Sequence, residues 1–225
     1  MALLLLVRHG QTDDNLAGRI SGQAAVPLNA RGQEQARAVA QVLAGLGVHR
    51  IFSSPVWRAR QTAEILAAQL GVALEEVVDL REVDYGDWEG KLFRDLRQHP
   101  ITLQVFQDPA SVAFPNGERL LAVQQRAVRV IEWVRRQYPQ QVTVLVSHGD
   151  VLRTALAHYL GMPFNEYRRL TLDTGAISVL ELFDDWVRVK AVNFVPQVGR
   201  QWLQSLYPVW QALRQRAAPP AAADA

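Results

Sequence analysis

The segment Leu3-Leu4-Leu5-Leu6-Val7 is apolar without interruption and runs straight into Arg8-His9-Gly10. A strand with one face in water alternates apolar and polar residues. A strand buried on both faces does not, and that situation is typical of a parallel sheet covered by helices. The same grammar recurs later, where Val142 to Val146 runs into Ser147-His148-Gly149. In open α/β sheets ligands sit outside the carboxyl ends of the strands. Two histidines there, each before a glycine that lets backbone approach closely, are well placed to face one pocket. Taken singly, either histidine is equally compatible with capping a strand end.

The rest of the chain fits this frame. Asn29 predicts an N-cap for a helix to Leu46, punctuated by Gly45 and Gly47. Arg50–Ser53 reads as a short strand, Pro55 as part of the first turn of a helix ending near Leu70, and Val72–Val78 as a further strand. Gly117–Tyr138 reads as a long amphipathic helix, and another follows His148 to Leu160. Ile177–Phe183 and Val187–Phe194 predict paired strands around Asp184-Asp185. A last helix is expected over Arg200–Arg216, with Trp202, Leu206, Trp210 and Leu213 as an apolar stripe. The stretch 84–116, with Pro100, Pro109 and Pro115, reads as an inserted lid. Alternating strands and helices give an α/β fold, a three-layer sandwich with a mostly parallel central sheet flanked by helices. One domain is expected over residues 1–216, with the low-complexity stretch 217–225 disordered.

Composition removes several functions. The chain has no cysteine, which excludes disulfide scaffolds, thiolate metal sites and cysteine nucleophiles. Lys and Arg total 24 against 22 Asp and Glu, and only Lys91 and Lys190 are lysines. That near balance speaks against a nucleic-acid binder, although the pI is about 9.2. The opening apolar run is too short to span a membrane and lacks the features of a secretory signal, so a cytoplasmic protein is expected.

Four ordered motifs carry the functional reading. They are Arg8-His9-Gly10-Gln11-Thr12 with Asn15, then Ser53-Ser54-Pro55 with Arg58-Ala59 and Gln61-Thr62-Ala63. Leu80-Arg81-Glu82 with Tyr85-Gly86 and Trp88-Glu89-Gly90 comes third, and Ser147-His148-Gly149 last. Together they resemble the histidine phosphatase superfamily, in its phosphoglycerate-mutase-like branch, from about Leu3 to Ala176. The resemblance implies a phosphoglycerate-mutase-like fold and a metal-independent phosphomonoesterase without cofactor, acting on a small phosphate ester.

It also implies roles that the chemistry explains. An unprotonated His9 nitrogen can attack phosphorus in line and form a phosphohistidine. Arg8 and Arg58 match the equatorial phosphate oxygens bidentately. His148 completes the phosphate pocket, and the Gly149 N–H opens a helix toward it. Glu82 would protonate the leaving alkoxide and then activate water. Asn15 matches a phosphate contact, its ordinary role being that of a turn residue, while Ser21, Gly22 and Gln23 match a substrate loop more loosely. Arg60 reads as structural, Arg81 as either a substrate contact or an ion-pair member, and Arg153 as an ion-pair member. His49, His99 and His158 match no motif, and Trp88 and Trp202 read as core.

Phosphatases and mutases share this machinery. Mutases of the family carry a longer insertion between acid and second histidine, whereas only 66 positions separate Glu82 from His148 here. Pro115-Asn116-Gly117-Glu118 resembles the helix start of broad phosphatases. Phosphatase is therefore the expectation and phosphoglycerate mutase the alternative. A metal hydrolase using His9, His148 and Glu82 is disfavoured by the adjacent arginines. An arginine-rich scaffold or nucleic-acid binder should show a basic stripe, but acids alternate with the arginines. A binding-only relative would not need every reactive position intact. Monomer and homodimer both remain open.

Overall fold

The structure is a computed structural model that describes residues 1–196, so the expected last helix and tail lie outside the described residues. Strands β1 (Ala2–Arg8), β2 (Val48–Ser53), β3 (Leu74–Glu76), β4 (Val142–Ser147), β5 (Ile177–Leu182) and β6 (Val187–Phe194) form one sheet. The helices are α1 (Asp13–Ala17), α2 (Ala30–Leu43), α3 (Trp57–Leu70), α4 (Pro100–Gln107), α5 (Leu120–Gln137) and α6 (Gly149–Tyr159). The strand order is β3-β2-β4-β1-β5-β6. The first four are parallel, and β5 and β6 extend the sheet antiparallel to their neighbours. The chain has the mixed α/β architecture expected.

The apolar run of β1 serves both faces. Leu3, Leu5 and Val7 join Ile51, Val144 and Val146 beneath α2 and α3, which contribute Val39, Leu43, Ala63 and Leu66. Leu4 and Leu6 join Phe52, Leu145 and Leu180 beneath α5 and α6, which contribute Val123, Val130, Val151 and Leu156. Burying a leucine or valine side chain is worth about 2 kcal/mol, so four leucines and a valine in a row commit β1 to the centre of the sheet.

Register then sets the site. Arg8 pairs with Ser147 across β1 and β4, and Ser53 pairs with Val146 across β2 and β4. The three strands end at one level, so His9, Ser54 and His148 emerge along the same sheet edge.

Boundaries differ from expectation where side chains compete for backbone groups. Asn29 caps α2 as expected, its Oδ1 accepting from Gly32 N, but the helix ends at Leu43. Pro55 stands outside α3 because Ser54 Oγ accepts the Val56 N–H in a turn before the helix begins. Helix α5 starts at Leu120 rather than Gly117, since Glu118 is engaged elsewhere. The short α1 was not anticipated. Thr12 and Asn15 form a reciprocal capping box that folds what reads as loop.

Residues 84–116 form 3₁₀ turns at Gly86–Trp88, Phe93–Leu96 and Pro109–Ser111 around α4. Trp88, Val105, Val112 and Phe114 pack into the α5/α6 core cluster. Phe114 meets Tyr85 and Trp88 edge-on, with centroids 4.8 and 5.3 Å apart.

Candidate active site

A cavity of about 440 Å³ opens above the strand ends. Arg8, His9, Asn15, Arg58, Glu82 and Gly149 all stand on its wall, as do Ser21 and Gly22. His148 lies directly behind, its ring centroid 5.2 Å from that of His9. All four motifs therefore converge.

His9 is 2% exposed and is held at both ring nitrogens. Nδ1 lies 2.7 Å from the Gly10 carbonyl oxygen, which accepts only if Nδ1 carries the proton. Nε2 is then the lone-pair nitrogen, and the Arg58 Nε–H donates to it at 3.1 Å. Burial, followed by the charges of Arg58 and Arg8, holds His9 well below the usual imidazole range. The ring stays neutral and nucleophilic at physiological pH.

The backbone around it is fixed from three sides. His9 N donates to Ser147 O, Gly175 N to the Arg8 and His9 carbonyls, and Gly10 N to Thr62 Oγ1. Thr62 Oγ1 in turn donates to Arg58 O, tying the nucleophile loop to α3. Gly10 is required for a different reason than the sequence suggests. A Cβ there would lie 2.3 Å from Gly32 O, so the close approach is to the start of α2 rather than to a ligand.

Arg58 is 2% exposed, and its Nη2 donates to Gly22 O at 2.8 Å. Arg8 donates from Nη1 to Leu172 O, while its buried Nε has no partner. An unpartnered guanidinium N–H beside the nucleophile is a donor waiting for an anion. His148 is fully buried and pairs through Nε2 with Ser54 Oγ at 2.8 Å. Ser54 Oγ also accepts from Val56 N, which fixes the hydroxyl against the His148 ring. The ring Nδ1 has no hydrogen-bond partner and sits 4.0 Å from Glu82 Oε2. Burial and the Arg58 charge keep His148 well below the imidazole range, so its ring is neutral.

Glu82 is 8% exposed, with Oε1 accepting from Val83 N. Burial and then the Asp150 charge push its carboxyl up to about 7, against the opposing pull of Arg58 and Arg8. The acid loop is clamped from α5. Arg126, itself buried, donates to the carbonyls of Asp79, Arg81 and Glu82 and pairs with Glu118 at 2.7 Å. Glu118 Oε1 also accepts from Asp84 N. This clamp, Asp150 and Arg168 are the site features absent from the sequence reading, while Tyr85 stands in the acid motif there without a role. The Pro-Asn-Gly-Glu motif, which supplies Glu118 to the clamp, reads in sequence as a helix start.

Among the weaker candidates, Asn15 spends its Oδ1 on Thr12 N and keeps its amide NH₂ for the cavity. Ser21 donates to Asp14 Oδ2. Arg60 pairs with Glu64 and Glu76 in solvent, and Arg153 pairs with Asp150 at 3.1 Å on the cavity wall. Arg81 does not reach the cavity. His49 accepts from Val142 N, His99 caps α4, and His158 packs edge-on to Tyr159. Among the described residues, no three or more His, Asp or Glu residues are grouped to hold a metal ion. No helix among them is long and apolar enough to cross a membrane.

A sequence profile of the histidine phosphatase superfamily (branch 1) matches residues 4–195. The chain belongs to the histidine phosphatase superfamily. Among members of that superfamily, the chain is 31% identical over 192 residues to adenosylcobalamin/alpha-ribazole phosphatase of Escherichia coli strain K12, covering 84% of this chain and 95% of that protein. It is 33% identical over 180 residues to the probable phosphoglycerate mutase GpmB of Serratia proteamaculans, covering 79% and 84%. The structure of a phosphoserine phosphatase mutant from Entamoeba histolytica in complex with phosphoserine superposes with a TM-score of 0.80 at 25% identity, covering 89% of this chain and 98% of that one. This chain is an α/β enzyme of histidine-phosphatase type.

Proposed function

We propose that the chain hydrolyses small phosphate monoesters through a phosphohistidine on His9, without a metal. One observation carries this reading: a neutral His9, whose Nε2 lone pair here accepts the Arg58 Nε–H, stands on a cavity wall shared with Arg8, Arg58 and a Glu82 carboxyl raised to about 7. The Arg58 Nε–H passes from Nε2 to a phosphate oxygen, Nε2 attacks phosphorus as the P–O ester bond breaks, and the Glu82 proton goes to the departing alkoxide oxygen. Arg8, Arg58, the His148 ring, the Asn15 amide and the Gly149 N–H meet the three non-bridging oxygens as charge spreads over them. Water, deprotonated by the Glu82 carboxylate, then displaces His9 and releases phosphate.

Residues 84–116 act as a lid over the leaving group. Tyr85, Trp88, Phe93, Val105 and Phe114 come from this segment and line the cavity opposite the strand ends, which supports that role. The second reading is phosphoglycerate mutase, favoured by the identity to the Serratia protein. In this reading the enzyme works in the cytoplasm on a small phosphate ester, as a monomer or homodimer, and needs no nucleic-acid or membrane partner.

A panel of phosphorylated metabolites, scored for phosphate release and for 3- to 2-phosphoglycerate interconversion together, tests the assignment. Phosphate release that persists in EDTA supports it. Interconversion without net release transfers the assignment to the mutase.

A further inference from the structure

One loop touches both the arginine of the phosphate seat and the acid. Beyond its bond to His9, Arg58 donates from Nη2 to Gly22 O at 2.8 Å and from Nη1 to Ala24 O at 3.4 Å. Gln23 lies between those two acceptors and engages the acid segment instead. Its Nε2 donates to the Glu82 carbonyl at 3.2 Å, and its backbone N–H donates to Glu89 Oε1 at 2.8 Å. Gly22 holds a positive φ, and a Cβ there would collide with the Glu89 carboxylate. The loop closes on the acid segment only because residue 22 has no side chain. Ser21 and Gly22 stand on the cavity wall, whereas Gln23 and Glu89 do not.

We propose that Gln23 is a positioning residue for proton delivery: with Glu89 anchoring its backbone, it holds the acid at a fixed offset from the phosphate seat. This rests on Glu82 being the general acid. The Glu82 carbonyl takes two donors, Arg126 Nη2 and Gln23 Nε2, each at 3.2 Å. The two refer the acid to different parts of the fold. Arg126 ties it to α5, and Gln23 ties it to the loop whose carbonyls Arg58 holds. Glu82 Oε1 accepts from the adjoining Val83 N–H, so the carboxyl follows its own backbone. A displacement of about 1 Å can cost on the order of 10²-fold in rate, which makes that backbone worth fixing. Removing the Gln23 amide takes away no phosphate contact and loosens only the acid. The loss should therefore grow with the leaving group's need for a proton, which a residue that merely shaped the phosphate seat would not produce.

The test is the ratio of kcat/KM for p-nitrophenyl phosphate to kcat/KM for glycerol 2-phosphate. It is measured for the unmodified enzyme, Gln23→Met, Glu89→Ala, Glu82→Gln and the double variant of Gln23→Met with Glu82→Gln, with folding checked by circular dichroism. Methionine keeps the length of glutamine and lacks the donor. Gln23→Met should raise the ratio about tenfold, the worth of one hydrogen bond expressed in the transition state. Glu89→Ala should raise it as well, because the Gln23 backbone loses its anchor. Glu82→Gln has no proton to place, so adding Gln23→Met to it should leave the ratio where Glu82→Gln put it. A ratio unmoved in Gln23→Met, or a further rise in the double variant, overturns the role of Gln23 while Glu82 keeps its own. If Gln23→Met does not fold, Glu89→Ala decides, a raised ratio supporting the proposal and an unmoved one overturning it. A ratio unmoved in Glu82→Gln removes the acid assignment, and the proposal falls with it.

Discussion

Arg58 Nε donates to His9 Nε2 at 3.1 Å, so the guanidinium that is to receive the phosphate also marks which imidazole nitrogen carries the lone pair. The first prediction concerns this contact. Arg58→Lys keeps the charge but loses the planar fork and the bond to Nε2. We expect kcat/KM to fall by about 10²-fold, as when one preorganised transition-state donor is removed. His9→Ala should abolish the acid-labile, base-stable phosphate that quenched enzyme carries. Normal labelling in His9→Ala would move the nucleophile elsewhere.

Glu82 gives a prediction in both activity and stability. Its role is to supply a proton, so Glu82→Gln should damage alkyl phosphates far more than p-nitrophenyl phosphate, whose leaving group hardly needs one. Equal losses on the two substrates would contradict the acid role. Because the folded carboxyl is raised to about 7 from an ordinary 4.5, its contribution to stability is fully present below 4.5 and is lost as pH rises through 7. Glu82→Gln cannot ionise. Its urea midpoint, relative to the unmodified protein, should therefore improve between pH 5 and pH 8.

The clamp on the acid loop predicts a large stability effect away from the chemistry. Arg126→Met strands the Glu118 carboxylate and leaves carbonyls of Asp79, Arg81 and Glu82 without their donor. Breaking such a pair from one side costs about 3–5 kcal/mol, or roughly 10 °C in a domain of this size. Adding Glu118→Gln to Arg126→Met should cost less than the two singles summed, because the stranded charge is gone. Differential scanning calorimetry on the four proteins reads this directly. Additive losses would mean that the two residues act independently.

The parts legible in the sequence were those written in local patterns. The apolar run Leu3–Val7 and the valine-rich stretch Val142–Val146 announced doubly buried strands, and the His-Gly pairs marked where those strands end. The four motifs then placed His9, Arg58, Glu82 and His148 around one point. What escaped was set by contacts between distant segments. Nothing near Arg126 indicates that it reaches 44 residues back to the Glu82 carbonyl. Nothing near Tyr85 indicates a partner 65 residues on at Asp150. Thr12 and Asn15 were locally readable as a capping box, but the surrounding polar residues and Gly18 masked a helix of five residues.

The two glycines after the histidines look equivalent in sequence, and the structure predicts that they are not. A methyl group on Gly10 would lie 2.3 Å from the Gly32 carbonyl oxygen and 2.9 Å from its Cα, all backbone, with nothing able to turn aside. Gly10→Ala should therefore cost about 2 kcal/mol in overpacking and lower the melting temperature by several degrees. A methyl group on Gly149 would instead sit 3.4 Å from the Arg8 and Arg153 guanidinium groups, which are flexible ends that can shift by a few tenths of an ångström. Gly149→Ala should melt within about 2 °C of the unmodified protein, since side chains rather than backbone make room. Its cost appears in binding, because Arg8 is displaced from the phosphate and KM rises severalfold. Melting curves and steady-state kinetics on the two variants separate these effects. Matching losses of stability in both would show that the second glycine, like the first, is there for packing alone.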